Sequence, residues 1–142
     1  MTIRSLLAYF PKPLKDRSTA PLQPSPSINM VKTSQLVAGF SNWNAPNGGI
    51  GPFKDMFPFS RGITTYTDME YLDVIFLWGG ADISPSLYNK ERIYNSGPIE
   101  PSARDQYEWE VIREARRRGI PIIGICRGAQ MLCAAAGGTL IQ

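Results

Sequence analysis

The chain has 142 residues, 43% of them apolar and 19% charged, with a net charge of +3; this fits one globular domain with a real core. Residues 1–30 hold Arg4, Lys12, Lys15 and Arg17 against Asp16, whereas residues 31–142 balance 11 basic with 11 acidic side chains. A basic tail on a neutral body argues against a nucleic-acid partner for the folded part, and no apolar run reaches membrane-spanning length.

Residues 1–30 contain Pro11, Pro13, Pro21, Pro24 and Pro26 among serines and basic residues, a composition that predicts an extended, disordered arm. The run Ser5–Phe10 is too short for a signal sequence and stops at Pro11. Met30 is either a true start preceded by upstream sequence or the end of an ordinary flexible tail. From residue 31 the pattern is that of a folded domain. Gln35–Phe40 reads as a buried strand. Ser41–Pro58 reads as a loop, punctuated by Asn47-Gly48-Gly49 and Gly51-Pro52. A short strand is expected at Arg61–Tyr66. A second, almost wholly apolar strand is expected at Leu72–Trp78, as suits a strand covered on both faces.

The clearest helix runs from Ala103 to Arg118. Ser102 is its N-cap, Asp105 completes an imperfect capping box, and Tyr107, Val111, Ile112 and Ala115 form an apolar stripe. Arg116, Arg117 and Arg118 suit the C-terminal end of the dipole, and Gly119 and Pro121 stop the helix. A strand over Pro121–Ile125, a helix over Gly128–Ala136 and a further strand at Thr139–Gln142 complete the chain. Strand and helix alternating in this way predict a parallel α/β sheet with right-handed crossovers.

The segment Gly124-Ile125-Cys126-Arg127-Gly128-Ala129-Gln130 joins the strand over Pro121–Ile125 to the helix after it. A sharp strand-to-helix turn points its central side chain into open space. The following helix offers free N–H groups and the positive end of its dipole, which favours a thiolate at Cys126. The competing reading is a small buried hydrophobe; the flanking glycines favour the nucleophile. Gly79-Gly80 closes the preceding parallel strand, so its loop and Cys126 lie beyond the same ends of the sheet. An N–H from that loop and the N–H of Arg127 would then form an oxyanion hole, unless the glycines are a plain turn. Asp82, Arg104, Asp105 and Glu108 read as capping and surface pairing. Cys133, two turns after Cys126, reads as core.

Two cysteines about 10 Å apart along a helix do not form a disulfide framework, so a reducing, cytoplasmic compartment is expected. The chain has no histidine, no Cys-x-x-Cys and no Walker-type loop; no metal and no cofactor is expected.

Taken together, Leu77–Tyr88, Arg104-Asp105 with Glu108, Pro121–Gln130 and Gly137–Gln142 resemble the class I glutamine amidotransferase-like superfamily. Within it they look most like the gamma-glutamyl hydrolase branch typified by gamma-glutamyl-gamma-aminobutyrate hydrolase. The resemblance covers Leu72 to the end. It implies a doubly wound, flavodoxin-like α/β domain, of which residues 31–142 would be the N-terminal part. It also implies attack by the Cys126 thiolate on a gamma-glutamyl amide, a thioester intermediate, and release of glutamate by water. The oxyanion would rest on the backbone N–H groups of Gly80 and Arg127, with Gly79, Asp82 and Gln130 contacting a small gamma-glutamyl substrate. The family supplies a histidine and a glutamate from later elements, and neither is assignable in this chain. The expectation is therefore a chain nearly inactive alone, completed by a partner chain. The alternative is a non-catalytic binding or assembly module, or a split subunit, of the same fold. A redox-sensing cysteine protein on a similar elbow is a third possibility.

Overall fold

A computed structural model describes residues 6–9 as backbone, and residues 32–41, 51–93 and 97–142. Five strands, β1 (Leu6–Tyr9), β2 (Val37–Ser41), β3 (Phe59–Ile63), β4 (Val74–Leu77) and β5 (Ile122–Ile125), form one sheet in the order β1-β5-β4-β2-β3. Strands β2 to β5 are mutually parallel, and β1 pairs antiparallel with β5. The α/β architecture is as expected, and the order of the parallel strands is the flavodoxin-like one. The chain leaves β2 for β3 on one side, then returns for β4 on the other, so the order reverses between β2 and β4. Loops that part at such a reversal leave a crevice beyond the carboxyl ends of the strands.

The apolar run of β4 is buried along its whole length because its alternate side chains face two different cores. Ile75 and Leu77 join Ile122, Val111, Ile112, Met131 and Leu132 under α1 (Ala103–Arg118) and α2 (Arg127–Ala135). Val74 and Phe76 join Ala38, Phe40, Phe57 and Ile125 on the opposite face. There Phe53, Phe76 and Trp78 form a mutual aromatic cluster, with centroids 5.2 Å apart for Phe53–Phe76, 6.0 Å for Phe76–Trp78 and 6.1 Å for Phe53–Trp78.

Helix α1 has the predicted bounds for the predicted reasons. Ser102 Oγ accepts from the Asp105 N–H at 3.1 Å, and Asp105 Oδ2 accepts from the Ser102 N–H at 2.8 Å, so the capping box is complete. Gly119 ends the helix in the left-handed region at φ 75°. On the solvent side Arg117 and Arg118 both donate to Glu114 and hold its carboxyl down from 4.5 to about 2. With the folded value depressed, the contribution of Glu114 is present above about pH 4.5 and lost as pH falls towards 2. The unfolding temperatures of Glu114→Gln and the parent should therefore differ slightly above about pH 5 and converge on acidification. Convergence at high pH instead would contradict the pairing.

Four expectations are corrected. The strand expected at Arg61–Tyr66 is β3, two residues earlier, and Tyr66–Met69 forms a 3-10 turn. Strand β3 pairs only with β2 among the described residues and exposes Phe59, Ser60 and Arg61. An edge strand of this kind carries no apolar alternation from which to read its register. The second correction concerns Thr139–Gln142, which is not a strand. Instead the Gln142 side chain bridges Glu91 O (2.8 Å) and the Ile93 N–H (2.9 Å). Third, Leu6–Tyr9 of the expected arm forms β1, whose register places Leu6 beside Ile125. Fourth, Cys133 is half-buried rather than core, with Sγ 3.9 Å from Thr139 O. The rest of the 1–30 arm, Met30 and Asn47-Gly48-Gly49 lie outside the described residues.

Candidate active site

Because β2, β4 and β5 are parallel, their carboxyl ends bring Ser41, Trp78-Gly79-Gly80 and Cys126 to one edge of the sheet. Cys126 is the hinge between β5 and α2. Its backbone sits at φ 53°, ψ −111°, a conformation rare for a residue with a side chain, and the thiol is exposed. Strain of this kind persists only where neighbours over-determine it. Here the neighbours are glycines. A Cβ on Gly124 would stand 2.5 Å from Gly128 C, and one on Gly128 would stand 2.2 Å from Leu77 O. Strand β5, helix α2 and strand β4 thus approach to a distance that any side chain would prevent.

Gly79 lies against the nucleophile: a Cβ there would be 3.3 Å from Cys126 Cβ and 3.8 Å from its Sγ. Gly80, at φ 145°, turns beneath Arg104, and a Cβ would meet Arg104 Nη1 at 2.5 Å. The Gly79-Gly80 loop and the elbow are therefore adjacent. At the start of α2 the Ala129 and Gln130 N–H groups already donate to Cys126 O at 2.9 and 3.2 Å. The Arg127 N–H, in the first turn, has no acceptor within the helix.

Asp82 and Gln130 meet each other. Gln130 Nε2 donates to Asp82 Oδ1 at 2.6 Å, and Gln130 Oε1 accepts from the Ile83 N–H at 3.3 Å. One side chain of α2 thereby pins the loop after β4. Tyr88 packs behind that loop, where burial pushes its phenol above the ordinary value and the Asp82 carboxylate adds to the effect.

Beneath the elbow lies a buried ionic cluster. The Arg127 side chain, 2% exposed, donates from Nη2 to Asp105 Oδ1 and from Nη1 to Glu108 Oε2. Glu108, wholly buried, also accepts from Ser41 Oγ and from Arg104 Nε, each at 2.9 Å. Arg104 Nη2 goes on to donate to Trp78 O at 3.1 Å.

A family model described as peptidase C26 matches residues 29–142. This chain belongs to the peptidase C26 family. The match confirms the likeness to the class I glutamine amidotransferase-like superfamily. Among the family's curated relatives, the glutamine amidotransferase-like protein YvdE homolog of Lactococcus lactis subsp. cremoris is 44% identical over 71 residues. That match covers 50% of this chain and 37% of the relative. Protein NtpR of Enterococcus hirae is 34% identical over 93 residues, 61% of this chain and 36% of the relative. The gamma-glutamyl-gamma-aminobutyrate hydrolase PuuD of Escherichia coli is 39% identical over 70 residues, 49% of this chain and 26% of the relative. The matches span about a quarter to two fifths of these relatives' length.

In this peptidase C26 chain Gly79 lies against Cys126, and Gly80 against the Arg104 and Arg127 side chains. Surface pairing for Asp105, Glu108 and Arg104 is corrected: both carboxylates are at 0% exposure and Arg104 is largely covered. A signal was present. Glu108 is four residues before Ile112, and Asp105 seven before it, so both continue the apolar stripe in phase. A carboxylate in phase with a buried stripe implies a buried cation, and Arg127 is that cation. Ser41 carried no sequence signal, since only the meeting of β2 with α1 gives it a partner.

Proposed function

We propose that this chain carries the nucleophile of a gamma-glutamyl amide hydrolysis, with a glutamyl thioester on Cys126. The supporting observation is the exposed, positive-φ Cys126 with Gly79 packed against its thiol. The names of the glutamine amidotransferase-like and gamma-glutamyl hydrolase relatives add the substrate class. The thiolate adds to the amide carbonyl carbon, and the oxyanion is held by the N–H groups of Gly80 and Arg127. The C–N bond breaks as the leaving amine takes a proton. Water then attacks the thioester, releasing glutamate and restoring the thiol. The Asp82–Gln130 pair and Gly79 line the approach as substrate contacts.

Both proton transfers need an acid–base group, and the chain contains no histidine. That group is assigned to a further segment or partner chain acting in trans. Two free thiols suit a reducing, cytoplasmic setting.

The test is the chloromethyl-ketone analogue of glutamine, because the thiolate displaces chloride to form a C–S bond with no proton donor required. One adduct by intact mass is expected on Cys126, none on Cys133 and none in Cys126→Ala. Turnover of a gamma-glutamyl amide by the 142-residue chain alone should be negligible. Rapid turnover by that chain would remove the need for a group in trans. A folded chain that takes iodoacetamide but not the ketone would instead support a non-catalytic binding module.

A further inference from the structure

We infer that Glu108 is a positioning residue that sets the two halves of the oxyanion site against each other. The inference rests on the proposed reading of Cys126 for what that site stabilises. It rests on the structure alone for the linkage.

The two backbone donors assigned to the oxyanion come from separate elements. Gly80 lies on the loop after β4, and Arg127 is the first residue of α2. Their separation matters because an oxyanion hole works only when its donors are already aimed at the charge that develops. Gly79 and Gly80 are flexible on their own, so the loop needs an external brace. Glu108 supplies both arms of one. Through Oε2 it accepts from Arg127 Nη1, beneath the elbow. Through Oε1 it accepts from Arg104 Nε, and the same guanidinium donates from Nη2 to Trp78 O while Nη1 stands over Gly80. Ser41 Oγ, at the end of β2, donates to that same Oε1 and stops the carboxylate from rotating.

Asp105 bonds Arg127 but carries no bond to Arg104, and it is committed to the capping box of α1. Glu108 is therefore the side chain that joins the Arg104 arm at Trp78 and Gly80 to Arg127 at the elbow, whereas Gln130 holds the same loop farther along, at Asp82 and Ile83. A carboxylate is required there, because a neutral amide of the same shape has only one acceptor oxygen and would confront a guanidinium with its NH₂ group.

The experiment compares two alkylation rates at Cys126 in the 142-residue chain. Iodoacetamide reports the thiolate, whereas the chloromethyl-ketone analogue of glutamine also reports the polarised carbonyl. In Glu108→Gln the ketone rate should fall about 10- to 100-fold, the range expected for a misplaced oxyanion donor. The iodoacetamide rate should change by no more than about 2-fold, since the thiolate itself is untouched. Hydrogen exchange should quicken together in peptides covering residues 79–82 and 126–129. In Arg104→Met, which severs only the loop arm, the faster exchange should be confined to residues 79–82. An unchanged ratio of the two rates in Glu108→Gln, with unchanged exchange, overturns the inference. If the parent chain takes iodoacetamide but not the ketone, the gamma-glutamyl reading has failed, and the joint exchange response still decides the linkage. If Glu108→Gln does not fold, Arg104→Met carries the rate comparison: the ketone rate should fall while the iodoacetamide rate holds, and an unchanged ratio overturns the inference.

Discussion

Gly128→Ala is expected to be the most damaging single-methyl change in the chain. The added Cβ would stand 2.2 Å from Leu77 O and 2.8 Å from Leu77 C. Those atoms are main chain of β4, the strand between β2 and β5, so they lack the freedom of a flexible side-chain end. Relief requires α2 to move away from the sheet, and overpacking of this kind costs about 1–3 kcal/mol or more. Because α2 begins immediately after Cys126, the same movement relaxes the strained elbow. Loss of ketone labelling should therefore accompany a fall in the urea midpoint. Gly119→Ala is the control: nothing lies within 4 Å of the methyl it would add, and its φ of 75° alone implies a smaller cost of about 1 kcal/mol. A Gly128→Ala chain within experimental error of the parent in both readouts would mean that the contact between α2 and β4 is looser than described.

Arg127→Met should be comparably severe for a different reason. The substitution leaves Asp105 with no cation and Glu108 with only Arg104 and Ser41, both carboxylates being at 0% exposure. Removing one partner of a buried ion pair typically costs about 3–5 kcal/mol, because the remaining charge stays desolvated. The pair itself contributes far less, since its attraction is largely cancelled by the burial of three ions. A triple variant, Arg127→Met with Asp105→Asn and Glu108→Gln, should therefore regain part of the lost stability. The Asn oxygen can still accept from the Ser102 N–H, which preserves the cap. A triple variant less stable than Arg127→Met would show that the cost lies in lost hydrogen bonds and shape rather than in uncompensated charge. Cys126 should also lose its preference for the ketone in Arg127→Met. That loss accompanies the fall in stability and so does not by itself separate positioning from folding; the comparison at Glu108 does.

These two cases separate what was readable along the chain from what was not. Helix α1 was readable in full because its signals are local: Ser102 and Asp105 are three residues apart, and Gly119 follows the last turn. The elbow was readable because Gly124, Cys126 and Gly128 lie within five residues and each glycine has a steric reason to be there. The register of β3 was not readable, because an edge strand with its outer face in water is placed by its neighbour and not by its own pattern. Thr139–Gln142 has strand-like composition, but a strand needs a partner, and here the Gln142 amide is held by the main chain of Glu91 and Ile93 instead.

The sequence by itself determined the α/β class, the buried central strand, the capped helix and the exposed thiol on its turn. All of these follow from steric and hydrogen-bonding rules that act within a few residues. Only the tertiary structure decided that Arg127 is the buried cation for Asp105 and Glu108, that Arg104 is largely covered, that Asp82 and Gln130 hold each other, and that Ser41 belongs to the same network. A charged side chain enters a core only when its counter-charge arrives there too. For Asp105 that counter-charge is 22 residues away on another helix, reached only after the sheet has formed.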